Sequence, residues 1–214
     1  MQFTVHRHRL CSLPLLAGLA LFATLQAPAA RSFDDTVISK VEYPGWFAEA
    51  GFMDLRDNLS SAGEEGKLGV MLFFTTEGCS YCHRFLETSL SDAAIVERLR
   101  AHFDVLGLEI FSDAELTAPG GAAMPVKAFA RRQGVQFAPS LLFFGTNGEP
   151  LLRLTGYYEP ERFARVLDYL IAGAQARQSF HDWERERLAS QSGAPPGQSL
   201  IASPLFLPPP YALD

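Results

Sequence analysis

The residues best suited to chemistry are two cysteines three positions apart, Cys79 and Cys82, which enclose Ser80 and Tyr81. A disulfide between them would close a very short loop and would constrain the unfolded chain little, so a purely structural bridge explains the pair poorly. Two thiols at this spacing can instead alternate between dithiol and disulfide forms. We therefore interpret the pair as a redox-active dithiol.

The elements on either side of the pair indicate which cysteine attacks. The apolar run 68–75 predicts a strand buried on both faces, and the residues after Cys79 turn helical. A thiolate at a helix N-terminus is favoured by unpaired N–H groups and by the helix dipole, which lower the pKa of the thiol. We therefore assign Cys79 as the nucleophile and Cys82, one turn further on, as the resolving thiol.

The rest of the chain predicts a small three-layer α/β domain around that strand. The element order is strand, helix, strand, helix, hairpin, helix, so that helical crossovers join a buried parallel pair of strands and an antiparallel hairpin follows. The predicted segments are a helix over 47–61, strands over 68–75 and 103–111, a helix from Ser91-Asp92, a loop over 112–123, a helix over 125–133, a hairpin over 141–154, a helix from Pro160 and a charged helix over 179–188.

The N-terminus has the pattern of a secretory signal peptide. Basic residues at 6–9 precede an apolar stretch at 13–25, and Ala27-Pro28-Ala29 supplies small residues for cleavage after Ala29. A retained membrane anchor is the alternative. Cleavage would remove Cys11 and leave the dithiol pair as the only cysteines, in an exported protein.

Composition limits the function classes. The chain has 214 residues, 48% of them apolar, and a formal net charge of −6, which suits one domain with appendages and argues against a nucleic-acid-binding surface. We expect a signal peptide at 1–29, one domain at 30–189 and a disordered Pro-rich tail at 190–214.

The order of elements resembles the thioredoxin fold over about 47–172. The dithiol lies at a strand-to-helix junction, Pro139 stands directly before the hairpin, and Gly156 precedes the last long helix. A closer resemblance is to the exported, SoxW-like thioredoxins associated with bacterial sulfur oxidation. The segments that look alike are Tyr43-Pro44-Gly45-Trp46-Phe47, the stretches 77–83 and 100–105, Gly156-Tyr157-Tyr158 and Gln178-Ser179-Phe180.

This resemblance implies a thioredoxin-like three-layer sandwich with a mixed central sheet. It implies a periplasmic thiol-disulfide oxidoreductase with no cofactor beyond the Cys79–Cys82 couple. A membrane partner would keep the couple reduced, and the clients would be cysteine-containing exported proteins. We expect a monomer. Disulfide donation to clients, rather than reduction, is the alternative direction of electron flow.

The residues around the dithiol have expected roles of their own. Pro139 is expected to be a cis proline beside the cysteines, and Ala138 to offer backbone groups to an extended client. Tyr81 is expected to form an apolar lip for the client. Glu77 and His83 are candidates for tuning the thiol pKa values.

The chain departs from the usual thioredoxin pattern at four places. Phe73 stands where thioredoxins usually bury an Asp, and Gly78 stands where they usually have Trp. Ser80-Tyr81 replaces Gly-Pro, and Ala138 replaces Thr. These differences leave the redox potential open.

Two functions of other classes share the same residues. Cys79-Ser80-Tyr81-Cys82-His83 matches the attachment motif of c-type haem, with His83 and Met124 as axial ligands, although the motif follows a buried strand in an α/β pattern. The two thiolates could also carry Cu(I), although no Met-rich or His-rich tract accompanies them.

Overall fold

The computed structural model describes residues 40–48 and 53–192. The expected signal peptide and residues 193–214 of the expected tail lie outside these ranges. All described residues belong to one of the two units into which the chain divides, 37–214. Within the described ranges, no helix combines the length and the apolar character needed to cross a membrane.

Six strands and six α-helices make up the described part of the chain. The strands are β1 (Gly69–Thr75), β2 (Phe103–Glu109), β3 (Glu115–Thr117), β4 (Ala123–Pro125), β5 (Ser140–Gly145) and β6 (Pro150–Thr155). The helices are α1 (Leu55–Glu64), α2 (Ser80–Glu87), α3 (Ala93–His102), α4 (Val126–Arg132), α5 (Pro160–Ile171) and α6 (Phe180–Ser192), with a 3₁₀ turn over Ala174–Ala176 between the last two.

A mixed four-stranded sheet forms the centre of the fold, in the order β2-β1-β5-β6. Strand β1 is parallel to β2 and antiparallel to β5, which in turn is antiparallel to β6. Every residue of β1 is buried, because helices cover both faces of the sheet. The predicted α/β class with a mixed central sheet is confirmed.

Two apolar clusters fill the layers on either side of the sheet. The cluster on one face joins α2, α3 and α5, and Phe85 at its centre lies 5.5 Å from Phe73 and 5.1 Å from Phe163 between ring centroids. The cluster on the other face joins α1 and α4 and includes Phe129 and Phe144. Apolar burial on both faces is the main stabilising contribution to the fold.

The first helix begins later than the apolar spacing predicts. Instead of starting at Phe47, α1 begins at Leu55, where the carboxylate of Asp54 accepts the Arg56 N–H and caps the helix. Phe47 lies in a turn closed by its N–H to the Pro44 carbonyl at 3.0 Å. The predicted start was therefore wrong, since a side-chain cap determines where this helix starts.

The strand predicted over 103–111 ends earlier than expected, and the loop predicted over 112–123 contains a short strand. Strand β2 ends at Glu109, and the chain turns there with the Ser112 N–H bonded to the Glu109 carbonyl at 3.1 Å. Phe111 therefore lies outside the sheet and is 66% exposed. Part of the predicted loop forms β3, which pairs with β4 in a small separate ribbon. A three-residue strand is too short to show a period in the sequence.

The C-terminal helix packs through a buried carboxylate. Glu184 in α6 is only 7% exposed and forms ion pairs with Arg162 and Arg165 of α5, at 3.1 and 3.0 Å. The predicted charged helix is present but extends to Ser192, so 190–192 belong to α6 rather than to the expected tail.

Candidate active site

A left-handed turn presents the two cysteines at the end of β1. Gly78 has φ +72°, a conformation that favours glycine, and it connects the strand to α2. Cys79 is the N-cap residue of α2, and its N–H donates to the Thr76 carbonyl at 3.3 Å. The predicted junction of strand, dithiol and helix is therefore the observed arrangement.

The cysteines are joined as a disulfide, with Cα atoms 5.2 Å apart. The Cys82 N–H donates to the Cys79 sulfur at 3.1 Å, and the His83 N–H donates to the Cys79 carbonyl at 3.2 Å. Cys79 is partly exposed, whereas Cys82 is 0% exposed. The outer sulfur thus lies against an N–H at the positive end of a helix, where a negative charge is stabilised.

The side chains flanking the pair differ in their exposure. Glu77 is exposed, and Tyr81, two residues after Cys79, is 61% exposed. His83 is half-buried, and its Nε2 atom is buried without a hydrogen-bond partner in the described part of the chain. The expected roles of these three residues in client binding and thiol tuning stay predictions.

The segment before β5 approaches the same end of the sheet. The Ala138–Pro139 peptide bond is cis. Ser140, the next residue, pairs with Phe74 of β1, so Pro139 lies near the strand end that leads to Cys79. Ala138 and Cys79 pack against the same apolar cluster. The structure thus brings together segments about sixty residues apart in sequence.

An apolar layer underlies the dithiol, with one buried polar pair beside it. Phe73 is fully buried and stacks on Phe85 of α2. Thr75 follows Phe73 by two residues and lies on the same face of β1. Its buried hydroxyl is 2.6 Å from the Tyr43 hydroxyl. Burial raises the pKa of Tyr43, which keeps this phenol neutral. The sequence analysis did not identify this pair.

Two exposed aromatic residues near the site were also missed. Phe137 is 67% exposed and immediately precedes the Ala138–Pro139 bond, and Phe111 follows the end of β2. With Tyr81, they lie where β1 and β2 end and where β5 begins. Their position next to turns, outside the predicted strand interiors, is the signal that could have identified them.

The second axial ligand suggested for a c-type haem is not gathered at this site. Met124 packs against the cluster on the opposite face of the sheet from Cys82, so it does not pair with His83 across a common site. Within the described residues, no three His, Cys, Asp or Glu side chains are grouped to hold a metal ion.

Comparisons with known proteins agree with this architecture. A family model described as Thioredoxin-like domain matches residues 55–171. A thioredoxin-fold protein from Helicobacter pylori superposes with a TM-score of 0.51 at 19% identity, over 58% of this chain and 84% of that one, and shows the same fold.

Two further solved structures match with lower TM-scores. A thioredoxin from Thermus thermophilus has 27% identity over 54% of this chain and 82% of its own, with a TM-score of 0.43. The reduced C-terminal domain of DsbD from Neisseria meningitidis has 14% identity over 53% of this chain and 91% of its own, with a TM-score of 0.41. A search of curated proteins gives no significant match.

Proposed function

The chain belongs to the thioredoxin-like domain family, and from this premise we propose that it is a thiol-disulfide oxidoreductase acting through Cys79 and Cys82. The observation that carries the proposal is the unequal exposure of the bonded pair at the start of α2. Cys79 is partly exposed as the N-cap residue, and Cys82 is fully buried behind it. A client disulfide can therefore reach the Cys79 sulfur, whereas the buried Cys82 sulfur reacts only with Cys79 of the same molecule.

The exchange follows from this asymmetry. In the dithiol form, the Cys79 thiolate attacks one sulfur of a client disulfide, so that a Cys79–client bond forms and the client releases its other sulfur as a thiolate. The Cys82 thiolate then attacks the Cys79 sulfur, which restores the intramolecular disulfide and releases the second client thiolate. Two electrons pass to the client, and an external dithiol must return two electrons to the protein.

Client binding is proposed for the residues that meet at the end of the sheet. Ala138 and Pro139 would lie along an extended client segment on one side of Cys79, and Tyr81 would contact its apolar side chains on the other. The packing of Ala138 and Cys79 against the same apolar cluster and the 61% exposure of Tyr81 support this placement. Glu77 and His83 would adjust the charge around the attacking sulfur.

The setting of the reaction is proposed from the sequence. The pattern at 1–29 and the resemblance to SoxW-like thioredoxins support export to the periplasm. There a membrane dithiol partner would keep the protein reduced, its clients would be exported proteins with disulfides, and it would act as a monomer without a bound cofactor. Oxidation of client thiols by the Cys79–Cys82 disulfide is the alternative direction.

One titration tests the proposal and its alternatives. The purified protein is equilibrated with glutathione or dithiothreitol buffers, its free thiols are counted after alkylation, and a visible spectrum is recorded. We expect a two-electron couple at or below about −200 mV, as for a reductase, whereas a value near about −120 mV would indicate a disulfide donor. Thiols that never titrate, together with a haem band in the spectrum, would overturn the function.

An activity assay completes the test. The protein should catalyse reduction of insulin disulfides by dithiothreitol, and Cys79→Ser should abolish that catalysis because it removes the attacking sulfur. Full activity in Cys79→Ser would show that the assigned nucleophile is wrong.

A further inference from the structure

The ring of Tyr157 lies along one face of the helix that begins at the dithiol. Its centroid is 6.3 Å from that of Tyr81 and 5.9 Å from that of Phe85, which it meets edge to face. The Arg84 guanidinium lies over the ring at 5.2 Å, and the Tyr157 hydroxyl is 3.1 Å from the Thr88 hydroxyl. Arg84 and Phe85 lie three and four residues after Tyr81, and the C-cap residue Thr88 lies three residues after Phe85, so the four partners form a single stripe along α2 and its C-terminal end.

The backbone next to Tyr157 is attached to the other side of the site. The Gly156 N–H donates to the Pro139 carbonyl at 2.8 Å, directly after the cis bond. Gly156 has φ +91°, a left-handed conformation that redirects the chain from β6 towards α2. Gly156 and Tyr157 together therefore connect the segment that carries Pro139 with the helix that carries the cysteines.

We propose that Tyr157 is a positioning residue, which holds α2 and the Pro139 segment at the separation that a protein client requires. This inference rests on the proposed disulfide exchange. A client chain must contact Tyr81 on α2 and Ala138 beside Pro139 while its disulfide meets Cys79. A small disulfide needs only the exposed Cys79 sulfur. If α2 or the Pro139 segment moved by about an ångström, the reaction rate with a protein client would fall steeply, because several contacts must be made at once.

The neighbouring residue supplies a matched control. The ring of Tyr158 lies under the Arg162 guanidinium at 4.9 Å, on the side of α5 and α6. Its link to the end of α2 is made by its carbonyl, which accepts the Ser89 hydroxyl at 2.7 Å and survives truncation of the side chain. Tyr158→Ala therefore removes an equal volume from the same loop without removing the stripe of contacts on α2.

The experiment compares two disulfides with the pre-reduced, full-length protein. Second-order rate constants are measured for oxidation by insulin and by 5,5′-dithiobis(2-nitrobenzoate), and their ratio reports preference for a protein client independently of the amount of folded protein. In Tyr157→Ala the insulin-to-small-disulfide ratio should fall at least about fivefold. Tyr157→Phe keeps the ring and should restore the wild-type ratio, and Tyr158→Ala should also retain it.

Other outcomes overturn the role of Tyr157. A wild-type ratio in Tyr157→Ala would do so, and an equal fall in Tyr158→Ala would show that general loosening of the loop is responsible. If Tyr157→Ala does not fold, Tyr157→Leu replaces it, with the same expected fall and the same contradicting result. Wild-type protein that does not react with insulin overturns the proposed function itself, whereas normal wild-type reactivity with an unchanged variant ratio overturns only this inference.

Discussion

The Tyr43 hydroxyl lies 2.6 Å from the Thr75 hydroxyl, which joins the lead-in segment 40–48 to the last residue of β1, four residues before Cys79. The Tyr43 ring stacks on Phe47 at 5.6 Å, and Phe47 in turn packs edge to face on Phe73. The lead-in is therefore part of the layer that supports the site, although it contains no helix or strand.

Replacing Tyr43 by Phe should destabilise the fold and flatten its response to alkaline pH. Loss of the hydroxyl leaves Thr75 without this partner, so the free energy of unfolding at neutral pH should fall by about 1 kcal/mol. Burial raises the pKa of Tyr43 above its ordinary value of 10.0. The stability linked to this group is thus complete below pH 10 and is lost as the pH rises through the folded-state pKa.

Urea unfolding of both proteins at neutral and alkaline pH measures these two effects. The difference in free energy between wild type and Tyr43→Phe should shrink as the pH increases. A difference that stays constant or grows would contradict the assignment of a buried, neutral phenol at this position.

Replacing Gly107 by Ala should displace the same lead-in. Gly107 lies on β2 opposite Phe73, and a Cβ atom there would collide with the Tyr43 ring. The free energy of unfolding should therefore fall by about 1–3 kcal/mol, as is typical of overpacking. Gly45→Ala is the matched control, because a Cβ atom at Gly45 meets nothing within 4 Å. Thermal unfolding of the two variants side by side measures the difference, and equal transition midpoints would refute the predicted clash.

Replacing Cys82 by Ser should trap a covalent complex with a client. The exposed Cys79 can still attack, but no second thiol remains to release the client. Reduced Cys82→Ser incubated with insulin should give a species of summed mass on a non-reducing gel and by mass spectrometry, reversed by dithiothreitol. Cys79→Ser is the control and should form little adduct, because Cys82 is 0% exposed. Comparable adducts in both variants would show that the two sulfurs are equally accessible.

Patterns of neighbouring residues were sufficient to predict much of the fold. The strand predicted over 68–75 corresponds to the fully buried β1, which begins one residue later at Gly69. The helix predicted from Ser91-Asp92 is α3, where Asp92 accepts the Ile95 N–H at 3.0 Å. Pro160 begins α5 as predicted, and four apolar residues spaced as a helical stripe are buried on its inner face: Phe163, Val166, Leu167 and Leu170. Periodicity and capping act over a few residues, so they can be read from the sequence directly.

Errors arose at the ends of elements and at the shortest strands. Phenylalanine is a residue that favours strands, but the chain turns after Glu109 and leaves Phe111 exposed outside the sheet. Strand β3 forms because β4 pairs with it, and a pattern of only three residues is too short to predict that pairing. Propensity gives way to tertiary context at such positions.

By itself, the sequence determined the dithiol at a strand-to-helix junction and the mixed α/β class, because these follow from residue type and spacing within short windows. Only the tertiary structure decided which cysteine is partly exposed, that Tyr43 supports the strand before the dithiol, and that Gly156 and Tyr157 connect the Pro139 segment with α2. The physical reason is distance along the chain. The hydroxyls of Tyr157 and Thr88 are 69 residues apart in sequence and those of Tyr43 and Thr75 are 32 apart, so such contacts arise only when the whole core packs.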